Sequence, residues 1–258
     1  MFLAIDIGNS DVTIGLNEGN RWRSIWRMPS QMMPEMYFGL RIENHFLEEG
    51  VGAKEVKHVV ISSVVPQLTD VFANVTRALF NFEPLVVGPD LYSRLPITVI
   101  NPYQIGTDLV ANAVAAFKLY GGPTVVVDFG TALTFTTLDH KGAIAGVAIA
   151  PGLKTALKSL SDNTAKLFEV PLEFPASALG KNTIHAIQAG LLFGYEGMVK
   201  NMLQQIRKEL NANVTVVVTG GLSAIIPSML EVADHMVPTL TLDGLKFIAE
   251  LTNKKGAS

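Results

Sequence analysis

Cysteine is absent from the 258 residues. That excludes disulfides and thiolate metal sites and fits a reducing cytoplasm, the expected location. Charge is scarce as well, at 17% of residues against 48% hydrophobic, with a net charge of −3. Lysine and arginine are dispersed rather than run together, so the chain carries no nucleic-acid footprint and nucleic acid is not an expected partner. No apolar run approaches the roughly 20 residues of a membrane span. The segment before Asp6 lacks the basic flank of a signal peptide, so no membrane association is expected. His45, His58, His140, His185 and His235 are scattered without ligand spacing, which argues against a transition-metal site. The P-loop, GxGxxG and HExxH patterns are all missing.

What is present is a repeated elbow. Val125-Val126-Val127-Asp128-Phe129-Gly130-Thr131 is an apolar strand ending in an acid, a glycine and a small hydroxyl residue, and Leu3-Ala4-Ile5-Asp6-Ile7-Gly8-Asn9-Ser10 has the same pattern. Each glycine is expected to take the positive φ of a tight hairpin turn. Turn amides beside glycine suit an anion, and a carboxylate there suits a hydrated cation that links it to phosphate oxygens. The elbows stand about half a chain apart, which predicts an internal duplication: one domain over residues 1–118 and a second over 119–258.

The rest of the chain repeats in the same way. Val12, Ile14 and Leu16, the turn at Asn17-Glu18-Gly19-Asn20 and then Trp22 to Trp26 read as a meander. A helix follows from Met36 to Glu49, with spacing at Met36, Leu40, Phe46 and Leu47. His58 to Pro66 is a buried strand opening onto a helix with proline in its first turn, and Val214 to Leu222 is its counterpart. Leu85-Val86-Val87 and Met236-Val237 are the expected last strands of the two halves. A loop leads into a helix from Leu109 to Leu119, Gly146 to Leu153 is a further strand, and Thr183 opens a long helix to about Leu210.

Two readings stand for each chemical constellation. Asp6 and Asp128 either hold cations beside a nucleotide or satisfy turn amides. Asp108 is a general base or the N-cap of its helix, where the positive end of the helix field would lower its pKa. Gly190, Gly194 and Gly197 each cost their helix roughly 1 kcal/mol against alanine, so close approach by a neighbouring element or a ligand is expected. Gly220-Gly221 admits an adenosine moiety or makes a tight strand-to-helix turn.

Taken together, Asp6-Ile-Gly-Asn-Ser, Gly106-x-Asp108, Asp128-x-Gly-Thr131-Ala, Ile149-x-Pro-Gly-Leu153, Gly180-Lys-Asn-Thr183 and Thr219-Gly-Gly221 resemble, in order and spacing, the type III pantothenate kinases. The resemblance implies an α/β fold of two ribonuclease H-like, actin-like ATPase domains around a nucleotide cleft. It implies ATP-dependent phosphorylation of pantothenate, the first step towards coenzyme A, by a homodimer that needs Mg²⁺ and a monovalent cation, K⁺ or NH₄⁺. By position, Asp6, Ile7, Gly8, Asn9, Ser10, Asp11, Val12 and Thr13 would form the first phosphate loop, and Thr131 would contact ATP. Gly106, Thr107, Asp108, Leu109 and Thr183 would bind pantothenate, Asp108 would accept the hydroxyl proton, and Asp128 would hold the monovalent cation. The chain departs from the family pattern at Leu109, where an arginine is usual, and at Asp11 and Val147. A lost charge-assisted hydrogen bond is worth about 1.5–3 kcal/mol. The alternatives are a catalytically weak nucleotide-binding regulator or a kinase for another small hydroxyl substrate.

Overall fold

A computed structural model describes residues 1–254. By contacts the chain divides into two units, Met1–Ala115 with Leu240–Ser258, and Ala116–Thr239.

In the first unit, β1 (Phe2–Ile7), β2 (Asp11–Glu18) and β3 (Arg21–Pro29) form the antiparallel meander expected from the alternation of apolar residues. After α1 (Glu35–Glu48), β4 (His58–Ser63) joins β1 in parallel. After α2 (Pro66–Phe80), β5 (Leu85–Val86) joins β4, giving the order β3-β2-β1-β4-β5. Pro66 sits in the first turn of α2, where its missing N–H costs nothing. The single-turn α3 (Pro89–Tyr92) and α4 (Thr107–Tyr120) follow. The core packs Leu3, Ile5, Ile7, Ile14 and Leu16 against Phe38, Ile42 and Phe46 of α1 and Leu68, Phe72 and Val75 of α2. Of the face expected for α1, Phe46 is buried, but Met36, Leu40 and Leu47 are exposed and Phe38 and Ile42 take the core positions instead. The larger rings decide the phase: Phe38 meets Phe72 at 4.7 Å between centroids, an aromatic contact worth more than its area alone.

The second unit repeats the plan. Strands β6 (Thr124–Phe129), β7 (Ala132–Leu138) and β8 (Ile144–Pro151) form a second meander. Then come α5 (Leu153–Asp162), the long α6 (Thr183–Leu210), β9 (Thr215–Thr219), the short α7 (Met229–Val232) and β10 (His235–Met236). The order is β10-β9-β6-β7-β8, and β9 runs parallel to both β6 and β10. Read from its meander, this is the order of the first sheet. Val125, Val127, Val216 and Val218 pack on Leu192, Tyr195, Val199 and Leu203 of α6.

Three expectations change. The closing helix α8 (Leu240–Lys254) belongs to the first unit and not to a domain running from 119 to the end. A Cβ added at Gly244 would come 2.0 Å from the Ala111 carbonyl oxygen, so only glycine lets α8 lie against α4. Trp22 Nε1 donates to Asp243 Oδ1 at 2.7 Å and Lys246 Nζ to the Gly19 carbonyl at 2.6 Å. Second, the described glycines with positive φ are Gly19, Gly50, Gly121, Gly142 and Gly220; Gly8 and Gly130 are not among them. Third, an added Cβ at Gly190, Gly194 or Gly197 would meet nothing beyond its own helix within 4 Å. The close approach expected at α6 is not made within this chain. None of the described helices is long and apolar enough to cross a membrane.

Candidate active site

In the first unit the site residues gather at the carboxyl ends of the parallel strands β1 and β4, where open α/β sheets place ligands. Asp6 stands one residue from the end of β1, opposite Thr13 on β2 and Ser62 on β4. It accepts a hydrogen bond from Ser62 Oγ at 2.9 Å. The elbow beyond it closes through Gly8 N–H, which donates to the Asp11 carbonyl at 3.0 Å, while Ser30 Oγ donates to the Gly8 carbonyl at 2.6 Å. Glycine is needed there for closeness rather than handedness, since a Cβ would lie 3.1 Å from the Asp11 oxygen. Asn9, Ser10 and Asp11 are exposed, whereas the Ile7 and Val12 side chains are wholly buried. Those two can offer only backbone to a ligand.

Helix α4 supplies the second group. It begins at Thr107, so Asp108 is its second residue and not its cap. The Asp108 carboxylate turns back to accept the Leu109 amide at 2.8 Å. It occupies the space beside Gly106, where a Cβ would fall 2.3 Å from Oδ1; the glycine of Gly-x-Asp is thus a vacancy for the acid two residues on. Burial pushes the Asp108 carboxyl above the usual carboxylate range, with the Leu109 amide and its own amide pulling it back. This reverses the lowering expected of a cap. Desolvation outweighs the two amide hydrogen bonds, and the result is a better proton acceptor at neutral pH. Leu109 is 8% exposed and belongs to the packed interior of α4.

Tyr92, at the end of α3, was not legible as a site residue. It is buried, its hydroxyl has no hydrogen-bond partner among the described residues, and its pKa is pushed up to about 12 by burial and by the charge of Asp108. Ser62 was missed too. Its only signal was a hydroxyl residue at the end of a buried strand, the pattern repeated at Thr219.

In the second unit Asp128 stands one residue from the end of β6, opposite Thr134 on β7 and Thr219 on β9. The duplication thus extends to chemistry: each acid is flanked by a hydroxyl residue on both neighbouring strands. Thr134 Oγ1 is buried with no hydrogen-bond partner among the described residues. A carboxylate beside an unclaimed hydroxyl oxygen suits a hard cation that takes oxygen ligands. The second elbow closes through Gly130 N–H to the Ala132 carbonyl at 3.1 Å, leaving Thr131 exposed. Its carbonyl accepts from the Gly152 amide at 2.9 Å and from Thr155 Oγ1 at 2.7 Å. A Cβ on Gly152 would lie 2.2 Å from the Gly130 oxygen, so the Pro-Gly start of α5 buttresses the elbow by direct backbone contact. Gly220 has φ of +93° and touches the Phe129 backbone, which favours the tight-turn reading for it.

Thr183 lies elsewhere in this unit, at the start of α6, where Asn182 Oδ1 caps the helix by accepting the His185 amide at 2.9 Å. It lines a cavity of about 580 Å³ together with Leu160, Leu167, Lys181, Ile187 and Leu191, and neither Asp128 nor Thr131 does so. Among the described residues no group of three or more His, Asp or Glu forms a metal cage. An aspartate near the strand end at each elbow fits magnesium, which keeps several waters and is held by one or two carboxylates plus phosphate oxygens.

The family model described as type III pantothenate kinase matches residues 2–205. A type III pantothenate kinase of Moorella thermoacetica is 38% identical over 251 residues, covering 97% of this chain and 99% of its own. One of Roseiflexus sp. is 39% identical over 253 residues, with 97% and 99% covered. Among solved structures, the activator of the 2-hydroxyisocaproyl-CoA dehydratase from Clostridium difficile, with bound ADPNP, superposes with a TM-score of 0.53 at 13% identity, covering 100% of this chain and 97% of that one. That likeness concerns the fold alone, two ribonuclease H-like domains. With a family match over most of the sequence and relatives aligned almost end to end, the chain belongs to the type III pantothenate kinase family.

Proposed function

We propose that this protein transfers the γ-phosphoryl group of ATP to the hydroxyl of pantothenate, giving 4′-phosphopantothenate and ADP at the entry to coenzyme A synthesis. The observation that carries the reading, beside family membership, is the half-buried Asp108 carboxylate seated in the vacancy left by Gly106. Asp108 accepts the substrate hydroxyl proton as that oxygen bonds to the γ-phosphorus and the bond from phosphorus to the β,γ-bridging oxygen breaks. Phosphoryl transfer asks more of positioning than of base strength, and a desolvated carboxylate fixed by a backbone amide provides it.

The elbow from Asp6 to Thr13 contacts ATP mainly through backbone, as does Thr131, since neither elbow carries a lysine or arginine. Asp6 would hold magnesium and Asp128 a monovalent cation, K⁺ or NH₄⁺; bound there, they would neutralise charge on the phosphates. Gly106, Thr107, Leu109 and Thr183 serve the pantothenate site. Leu109, in place of the family arginine, removes a charged donor and leaves an apolar wall. The location is cytoplasmic, and the two domains meet near residue 118, with α8 returned to the first. The assembly is a homodimer with much of its interface in residues 151–193. Supporting it are the exposed Phe168 and Leu179 and the open glycine face of α6. A sedimentation mass of a single chain at micromolar concentration would contradict the dimer. Coupled ADP release with and without pantothenate tests the function: release that depends on pantothenate is expected, and equal release in both arms contradicts it.

A further inference from the structure

Ser62 ends in the wholly buried part of β4, where a hydroxyl is costly unless its proton and a lone pair are both used. Its Oγ donates to Asp6 Oδ1 at 2.9 Å and lies 2.9 Å from Thr107 Oγ1. Thr107 Oγ1 accepts the Ser63 amide at 3.0 Å and donates to the Ser63 carbonyl at 3.2 Å. Each hydroxyl has one proton, and a carboxylate can only accept. With the Ser62 proton committed to Asp6, the Ser62–Thr107 contact is a hydrogen bond only when Thr107 donates. The Ser63 amide donates to Thr107, Ser62 donates to the Asp6 carboxylate, and the one Thr107 proton is shared between Ser62 Oγ and the Ser63 carbonyl. This chain joins three elements, β1 through Asp6, β4 through Ser62 and Ser63, and α4 through its first residue. The next residue of α4 is Asp108.

We propose that Ser62 is a positioning residue for phosphoryl transfer, its hydroxyl holding the Asp6 carboxylate and the first turn of α4 in one fixed arrangement so that the acid at the elbow and the base are set together. The proposal rests on the kinase reading of Asp6 and Asp108. In the second unit Thr219 occupies the same register position, opposite Asp128, so a threonine is a natural replacement that keeps the hydroxyl.

The experiment compares the full-length chain with Ser62→Ala and Ser62→Thr. It reads steady-state kinetics, affinity for the non-hydrolysable magnesium complex of an ATP analogue, and amide hydrogen exchange at Ser63 and through Val110. Misplacement by an ångström costs up to about a hundredfold in rate. Ser62→Ala is expected to lower kcat roughly ten- to hundredfold, to change the KM for pantothenate little, to weaken the magnesium–nucleotide complex severalfold and to speed exchange at Ser63. Ser62→Thr should recover most of each. Wild-type kcat, nucleotide affinity and exchange in Ser62→Ala would overturn the proposal. So would losses in both variants that only track a lower melting temperature. If the parent itself shows no pantothenate-dependent turnover, the kinase reading fails separately. Nucleotide affinity and exchange then decide the coupling, and their equality in parent and Ser62→Ala overturns it.

Discussion

At Asp108 burial and two backbone-amide hydrogen bonds pull the carboxyl in opposite directions, and burial wins. The sign for stability follows from that. A carboxyl whose folded pKa is raised binds its proton more readily in the folded chain than in the unfolded one, so its contribution favours folding at acid pH and is lost as pH rises from the unfolded pKa through the folded one. Asp108→Asn is therefore expected to leave the melting temperature at pH 7 unchanged or raised, because its amide oxygen can still accept from Leu109, while kcat falls about 10²- to 10⁴-fold, the usual contribution of a positioned base. Melting curves and turnover measured on one preparation check both halves. The acid limb of the kcat/KM profile should likewise lie above the usual carboxylate range. Gly106→Ala makes a second prediction. Its Cβ would land against the end of a side chain and not against backbone, so the fold should survive with the base displaced, a loss of kcat by about a hundredfold. The contrasting variant is Gly220→Ala, which meets the Phe129 backbone at a positive φ; it should fail in folding, seen as a much lower melting temperature. Tyr92→Phe removes a buried hydroxyl with no partner, and such a change should be neutral or stabilising in a thermal melt.

At the scale of elements, strand ends are what the site is made of. Asp6, Ser62, Asp128 and Thr219 occupy matching positions near the carboxyl ends of β1, β4, β6 and β9. The strands themselves were legible, because alternation and the two Asp-x-Gly elbows are local signals. So were both meanders and the long α6. The phase of α1 was not, since Met36 and Leu40 have helical spacing as good as that of Phe38 and Ile42, and only packing against Phe72 separates them. The destination of α8 was hidden for a similar reason: Trp22 and Asp243 lie 221 residues apart, and no local pattern joins them. Truncation after Thr239 should accordingly expose the first unit and leave the second intact. Limited proteolysis of the shortened chain is expected to cleave within residues 1–115 before it cleaves within 116–239.

For the whole molecule, duplication explains more than fold. Each unit presents a strand-end acid flanked by hydroxyl residues and an elbow closed by its own glycine amide. Of the candidate site, the places of Asp6 and Asp128 near strand ends and of Asp108 in the first turn of α4 could be read from motifs. Ser62 could not, because its place in the site comes from burial and from partners 56 and 45 residues away along the chain. The reversal at Asp108 has the same origin: its place in the first turn is local information, its desolvation is not. With no lysine or arginine in either elbow, nucleotide binding should depend strongly on the divalent ion. ATP affinity unchanged by EDTA would contradict that. The most direct measurement is transfer of labelled γ-phosphate from ATP to pantothenate by the parent protein and by Asp108→Asn, with ATP affinity determined for both. Labelled 4′-phosphopantothenate from the parent, and its near absence from a variant that still binds ATP, is the predicted result; label that never leaves ATP for pantothenate, or equal transfer by both proteins, would contradict the account.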